Sequence, residues 1–291
     1  MTVSYTLPTL AYVCAHFQST EATVAFLVDH NIFFLELPCQ CGGSMKQSVS
    51  RMVFRCTNFK CRREKSIFTG TFFLRAKAPC NKLMEVAYFW LAKASTVQII
   101  TYTGLSDKTV QAYICHLQEM VADSLEEEDL VIGGEGIVVE VDETKLGKRK
   151  YHRGHRVDGV WIFCAVERTP ERKVFLQILE DRSSETLTST ILRHIRPGTT
   201  IHTDGWRGYS VLSEHDYIHL VVNHNIQFKN EETGACTNTA EGNNNALKMA
   251  IPPRKRTVKC ESSLWEFIWR RKHESNLWMG FIDALREIKY T

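Results

Sequence analysis

The chain lacks the features that mark membrane or secretory proteins. No apolar run reaches the ~18 residues that a bilayer-spanning helix needs, so no membrane partner is expected. Residues 1–10 show no basic stretch followed by an apolar core, so no cleaved leader is expected. Internal repeats and low-complexity tracts are missing, and 291 residues suffice for one sizeable domain with one or two small ones. A strong charge of one sign is missing too. The formal net charge is +3, too mild by itself to diagnose a nucleic-acid partner. Ten cysteines without a leader argue against a disulfide framework and for reduced thiols.

What is present falls into four zones. Residues 1–35 read as a helical lead-in, with Val24, Leu27 and Val28 at helical spacing before Asp29-His30-Asn31 breaks the pattern. Residues 36–75 hold Cys39, Cys41, Cys56 and Cys61 among β-prone stretches, with Gly42-Gly43 as a turn. In residues 80–130, Leu83, Val86, Ala87, Trp90, Leu91 and Ala94 paint one helical face. A second helix is expected from Thr96. After Thr103-Gly104-Leu105, Ser106 is a good N-cap for a third, with Val110, Ile114, Leu117 and Val121 as its buried stripe. An acidic run then ends in Gly133-Gly134, where the main boundary is placed.

Residues 135–291 change texture. Residues 137–141, 160–166 and 174–179 read as strands of an antiparallel meander. A helix over 183–195 follows, then strands over 199–203 and 217–222, a helix over 238–250 and one long helix over 262–289. That order is the order of a ribonuclease-H-like α/β fold with a mixed five-stranded sheet.

Three acids sit at the ends of these elements. Asp142 closes the first strand in Val138-Val139-Glu140-Val141-Asp142-Glu143, Asp204 ends the fourth, and Glu241 opens the later helix in Thr237-Asn238-Thr239-Ala240-Glu241-Gly242. In a twisted sheet the first and fourth strands can be neighbours, and a helix beside them can supply the third carboxylate. Such a cluster suits Mg²⁺, a hard cation that takes carboxylate and phosphate oxygens. Each acid also has a plainer reading. Asp142 could face solvent, Asp204 could start a turn with Gly205, and Glu241 could complete a capping box with Asn238.

These segments resemble transposases of the Merlin superfamily and their relatives among bacterial insertion sequences, which belong to the DDE class. The resemblance rests on Val141-Asp142-Glu143 followed by the glycine-basic run from Gly147 to Gly154, and on Thr203-Asp204-Gly205-Trp206-Arg207-Gly208-Tyr209. It rests also on Asn223-His224 through Phe228, the Glu241 segment, Lys248 and Trp269-Arg270-Arg271. The 36 residues from 205 to 240 separate the second acid from the third, which is the spacing of a Merlin-type triad. One departure stands out: the family usually carries aromatic residues just after Glu241-Gly242, where this chain has Asn243-Asn244-Asn245.

The resemblance implies a metal-dependent enzyme that cleaves transposon ends and transfers the strands to target DNA. Asp142, Asp204 and Glu241 would hold two Mg²⁺ (or Mn²⁺) ions, with Asp142 shared between them. Double-stranded DNA, as terminal inverted repeats and target, is the expected partner. At least a homodimer is expected, since two ends must be brought together. A nuclear location is expected if the source is eukaryotic, with Pro253-Arg254-Lys255-Arg256 as an import signal, and a cytoplasmic one otherwise. Two other readings stay open: a domesticated DNA-binding protein without catalytic activity, and a nuclease without strand transfer.

Further sites are read around this core. Cys39-x-Cys41 and Cys56-x4-Cys61 form two pairs in a layout close to a zinc ribbon, for one structural Zn²⁺, against four unligated thiols. Residues 96–121 read as a helix-turn-helix, with Lys108, Thr109 and Gln111 as candidate DNA contacts. One basic patch contributes Lys148, Arg149, Lys150 and Arg153. A second contributes Lys248, Arg254, Lys255, Arg256, Arg270 and Arg271. Both read as phosphate-contact surfaces, or more plainly as charged loops. His224 is a further candidate for orienting DNA or a catalytic group, or a plain loop histidine.

Overall fold

The computed structural model describes residues 7–74, 76–147, 159–222 and 236–290. They form two compact units, one from Met1–Ser124 with His273–Thr291, the other from Leu125–Lys272. The division falls at Ser124, ahead of the Gly133-Gly134 boundary expected from the sequence.

The first unit opens with helices α1 (Leu10–Phe17) and α2 (Thr20–Asp29), whose first turns are capped by the side chains of Thr9 and Ser19. Four short strands follow: β1 (Glu36–Pro38), β2 (Ser44–Ser48), β3 (Val53–Cys56) and β4 (Glu64–Ser66). They pair antiparallel in chain order. Then come α3 (Cys80–Leu91), α4 (Thr96–Thr103) and α5 (Asp107–Asp123). α3 buries Leu83, Val86, Ala87, Trp90 and Leu91, the face its spacing predicts. α4 stops because Gly104 takes φ +70°, open to a residue without a Cβ, and α5 restarts at once with Ser106 accepting from the Thr109 amide.

The second unit is a five-stranded mixed sheet with helices. In chain order it holds β5 (Val138–Leu146), β6 (Val160–Glu167), β7 (Val174–Leu179), α6 (Ser184–His194), β8 (Thr200–Asp204), β9 (Ile218–Val222), α7 (Asn238–Ala250) and α8 (Glu261–Lys272). The spatial order is β7-β6-β5-β8-β9. β5, β6 and β7 are antiparallel, whereas β8 lies parallel to β5 and β9 parallel to β8. The period-2 pattern divides the side chains between two cores. Val139, Val141, Phe163, Ala165 and Phe175 pack with Leu187 and Ile191 of α6 on one face. Leu146, Ile162, Cys164 and Val166 pack with Ala240 and Leu247 of α7 and Leu264 and Ile268 of α8 on the other.

Two expectations are corrected here. Asp142 does not close its strand: β5 continues to Leu146, because β6 pairs with it from Val139 to Leu146 while β8 pairs only from Val138 to Glu140. The long helix expected over 262–289 is two helices, α8 and α9 (Leu277–Glu287), divided between the two units. Asn276 breaks the run, its side chain accepting from the Met279 amide as the N-cap of α9. Among the described residues no helix is long and apolar enough to cross a membrane.

Candidate active site and metal centre

Strand parity sets the first acid. Glu140, Asp142 and Thr144 lie on the α7 side of β5, opposite in direction to Val139 and Val141. Asp204 is the last residue of β8, and Glu241 lies in the first turn of α7. Burial is the main cause of an Asp142 pKa raised above the usual carboxylate range, countered by a hydrogen bond from Asn244. The charges of Asp204 and Glu241 add to the rise. Like charges gathered around a buried carboxylate are a donor set that a hard divalent cation would relieve. Among the described residues the three acids do not crowd to within 4.8 Å as the cysteines do. Acids flanking a pair of ions ~3.5–4 Å apart need not touch one another.

Asp204 starts a turn. Its Oδ1 accepts from the Trp206 amide at 3.0 Å, an Asx-type turn into a 3-10 segment over Arg207–Glu214. The α7 terminus is capped from outside the helix. Glu140, with no exposed surface, accepts from the Thr239 amide at 2.6 Å, the Ala240 amide at 3.1 Å and the Thr239 hydroxyl at 3.1 Å. Arg168 pairs with the same carboxylate at 3.5 Å. Glu140 thus fastens the turn that carries Glu241 to the strand that carries Asp142. Sequence reasoning passed over it, although its place two residues before Asp142 in a strand was the available signal.

Two further groups adjoin the acids. Asn244, one turn beyond Glu241, donates from Nδ2 to Asp142 Oδ2 at 2.8 Å, and Asn243 accepts from Arg271 Nη2 at 2.8 Å. Of the asparagine run, Asn244 alone touches the acids, while Asn243 ties α7 to α8. On the opposite face of β5, Glu143 pairs with Arg182, whose guanidinium lies 4.6 Å from the rings of both Trp161 and Trp206. Burial pushes the Glu143 carboxyl up to about 7 against the pull of Arg182.

The basic candidates divide. Arg254 and Lys255 are exposed and Lys248 is half-buried. Arg256 serves the α7 C-terminus, its Nε donating to the Ile251 carbonyl at 2.9 Å and its Nη2 to that of Lys248. Arg270 is 8% exposed and pairs with Glu266 at 2.7 Å. In the other unit Lys108 is exposed, Thr109 hydrogen-bonds Ser106 within the α5 cap, and Gln111 donates to Asp107 at 2.6 Å. Lys148, Arg149, Lys150, Arg153 and His224 lie outside the described residues.

The four expected cysteines do converge. The Sγ atoms of Cys39, Cys41, Cys56 and Cys61 lie within 4.8 Å of one another, with Cys39–Cys61 at 3.7 Å and Cys41–Cys56 at 3.5 Å. A tetrahedral ion with Zn–S of ~2.3 Å sets its sulfurs ~3.8 Å apart, so the cluster could hold structural zinc. Two turns present the thiols. In one the Gly42 amide donates to the Cys39 carbonyl at 2.9 Å, and in the other the Cys61 amide donates to the Asn58 carbonyl at 3.0 Å. The Gly43 amide is the largest cause drawing Cys41 down to about 7, whereas burial pushes Cys56 up to about 12. A bound cation would favour all four as thiolates, against the burial that holds Cys56 protonated.

The second unit thus brings three acids to one side of a mixed α/β sheet, and the four thiols cluster elsewhere in the chain. Residues 132–254 match the family model of the ISXO2-like transposase domain. The matched span, under half of the chain, includes Asp142, Asp204 and Glu241. No curated protein matches the chain significantly.

Proposed function

We propose that this protein is a DNA transposase whose Leu125–Lys272 unit is a ribonuclease-H-like catalytic domain with Asp142, Asp204 and Glu241 as its triad. The observation that carries the reading is the gathering of these acids from β5, β8 and α7, inside the segment that matches a transposase family. The three carboxylates hold Mg²⁺ or Mn²⁺. A pair of such ions, when bound, supplies activation of a water or 3′-hydroxyl and neutralises the leaving oxygen of an in-line displacement. The residues of the chain do the positioning. Asp204 commits Oδ1 to the Trp206 amide, leaving Oδ2 as its ligand atom, and Glu140 sets the first turn of α7 against β5. Exposed Arg254 and Lys255 near the end of α7, with Lys248 and the basic run at 148–153, take DNA phosphates.

In the other unit, α4 and α5 act as a helix-turn-helix that reads the terminal repeats, and the four cysteines hold one zinc ion in a ribbon. The working form is at least a homodimer, because two transposon ends must meet. The test is cleavage of DNA carrying the element's terminal repeats in Mg²⁺, alongside binding to the same DNA. Asp142→Asn, Asp204→Asn and Glu241→Gln should each reduce cleavage at least ~1,000-fold, the scale at which removal of essential catalytic groups is felt, while DNA binding persists. Cleavage retained in all three variants would sink the triad. Tight binding by a wild-type protein that never cleaves would favour a DNA-binding descendant of a transposase instead.

A further inference from the structure

Asn244 is 3% exposed and lies one helical turn beyond Glu241 on α7, the side of the helix turned to β5. Its amide sits 2.8 Å from Asp142 Oδ2. A carboxylate only accepts, so the amide must present its NH₂ there, which fixes the orientation of the group. The Asn244 Oδ1 is then buried and, among the described residues, has no hydrogen-bond partner. A buried carbonyl oxygen left unpaired is costly, and such atoms in a native fold call for an explanation. Its neighbours do not share the arrangement. Asn243 is tied to Arg271 of α8, and Asn245 is exposed.

We propose that Asn244 is a positioning residue for the cation site: its NH₂ holds Asp142 Oδ2, and its Oδ1 accepts a hydrogen bond from a water carried by the bound cation. The inference rests on the reading of Asp142 as a metal ligand and adds the residue that orients it. A ligating carboxylate fixed by a neighbouring donor keeps its other oxygen aimed at the ion, and loss of such a partner typically costs ~10–100-fold in metal affinity. The hydrogen bond also opposes the effect of burial on Asp142.

The experiment is a Mn²⁺ titration of the zinc-replete full chain, following free Mn²⁺ by electron paramagnetic resonance, with melting temperature recorded for every variant. Asn244→Leu, which keeps the volume and removes both amide functions, should weaken Mn²⁺ binding about 10–100-fold. Asn244→Ala, a better helix former that leaves room for water, carries the same expectation should the leucine variant not fold. Asn243→Ala should lower the melting temperature and leave Mn²⁺ affinity unchanged. Wild-type affinity in a folded Asn244 variant would overturn the proposal, and so would an equal loss in Asn243→Ala, which would trace the effect to α7 as a whole. Asp142→Asn separates the two levels. If it binds Mn²⁺ as tightly as wild type, the carboxylate reading itself fails; if it alone loses binding, only the role of Asn244 fails.

Discussion

Glu140 is fully buried, yet two backbone amides, a hydroxyl and a guanidinium converge on its two oxygens. A carboxylate beneath a helix N-terminus satisfies donors that the helix cannot satisfy itself and meets the positive end of its dipole. Hydrogen bonds to a charged group are worth ~1.5–3 kcal/mol, and leaving a buried partner unmatched costs a similar amount. Glu140→Gln turns one acceptor into a donor facing donors, and it leaves Arg168 without its counter-charge. It is expected to lower the unfolding free energy by about 2 kcal/mol and to speed hydrogen exchange at the Thr239 and Ala240 amides. Unchanged exchange at those two amides would contradict the capping role. Asn244 shows the same economy beside Asp142, where a small amide replaces the bulky side chain that the family resemblance leads one to expect.

At the scale of elements, the four-stranded sheet of the first unit is too small to hold itself. Its strands bury only Met45, Phe54 and Cys56, with Cys39 beside them, and cores of this size need a metal or covalent staple. Stripping zinc with a strong chelator should therefore expose the amides of β1–β4 to exchange while those of β5–β9 stay protected. Full protection of β1–β4 in metal-free protein would show that the thiols pack without an ion. Much of this architecture was legible in the sequence. The run over 174–179 is β7 residue for residue, and the helix over 238–250 is α7, because a strand apolar at all but one position and a Pro-terminated helix leave few alternatives. The break between α8 and α9 was not legible, since both helices are amphipathic and only a short polar turn over 273–276, ending in the Asn276 cap, separates them. Nor was the reach of β5 past Asp142: the segment beyond that acid is polar, and its pairing with β6 is a tertiary fact. For the candidate site, the four cysteines could be paired by spacing alone, whereas Glu140 and Asn244 gain meaning only once α7 docks on β5.

Over the whole molecule, the mild net charge of +3 conceals two side-chain clusters of opposite character, soft thiols in one unit and hard carboxylates in the other. The central claim is that residues distant in sequence, Asp142, Asp204 and Glu241, hold cations together. The most direct test replaces Mg²⁺ by Fe²⁺ and uses ascorbate and peroxide to cut the backbone wherever the iron sits. Three separate cuts are predicted, near 142, 204 and 241, all suppressed by excess Mg²⁺ and lost in Asp142→Asn. Any cut near the cysteines should persist in Mg²⁺, because a hard cation does not displace a metal from thiolates. A pattern in which no Mg²⁺-sensitive cut falls near these three acids would contradict the assignment.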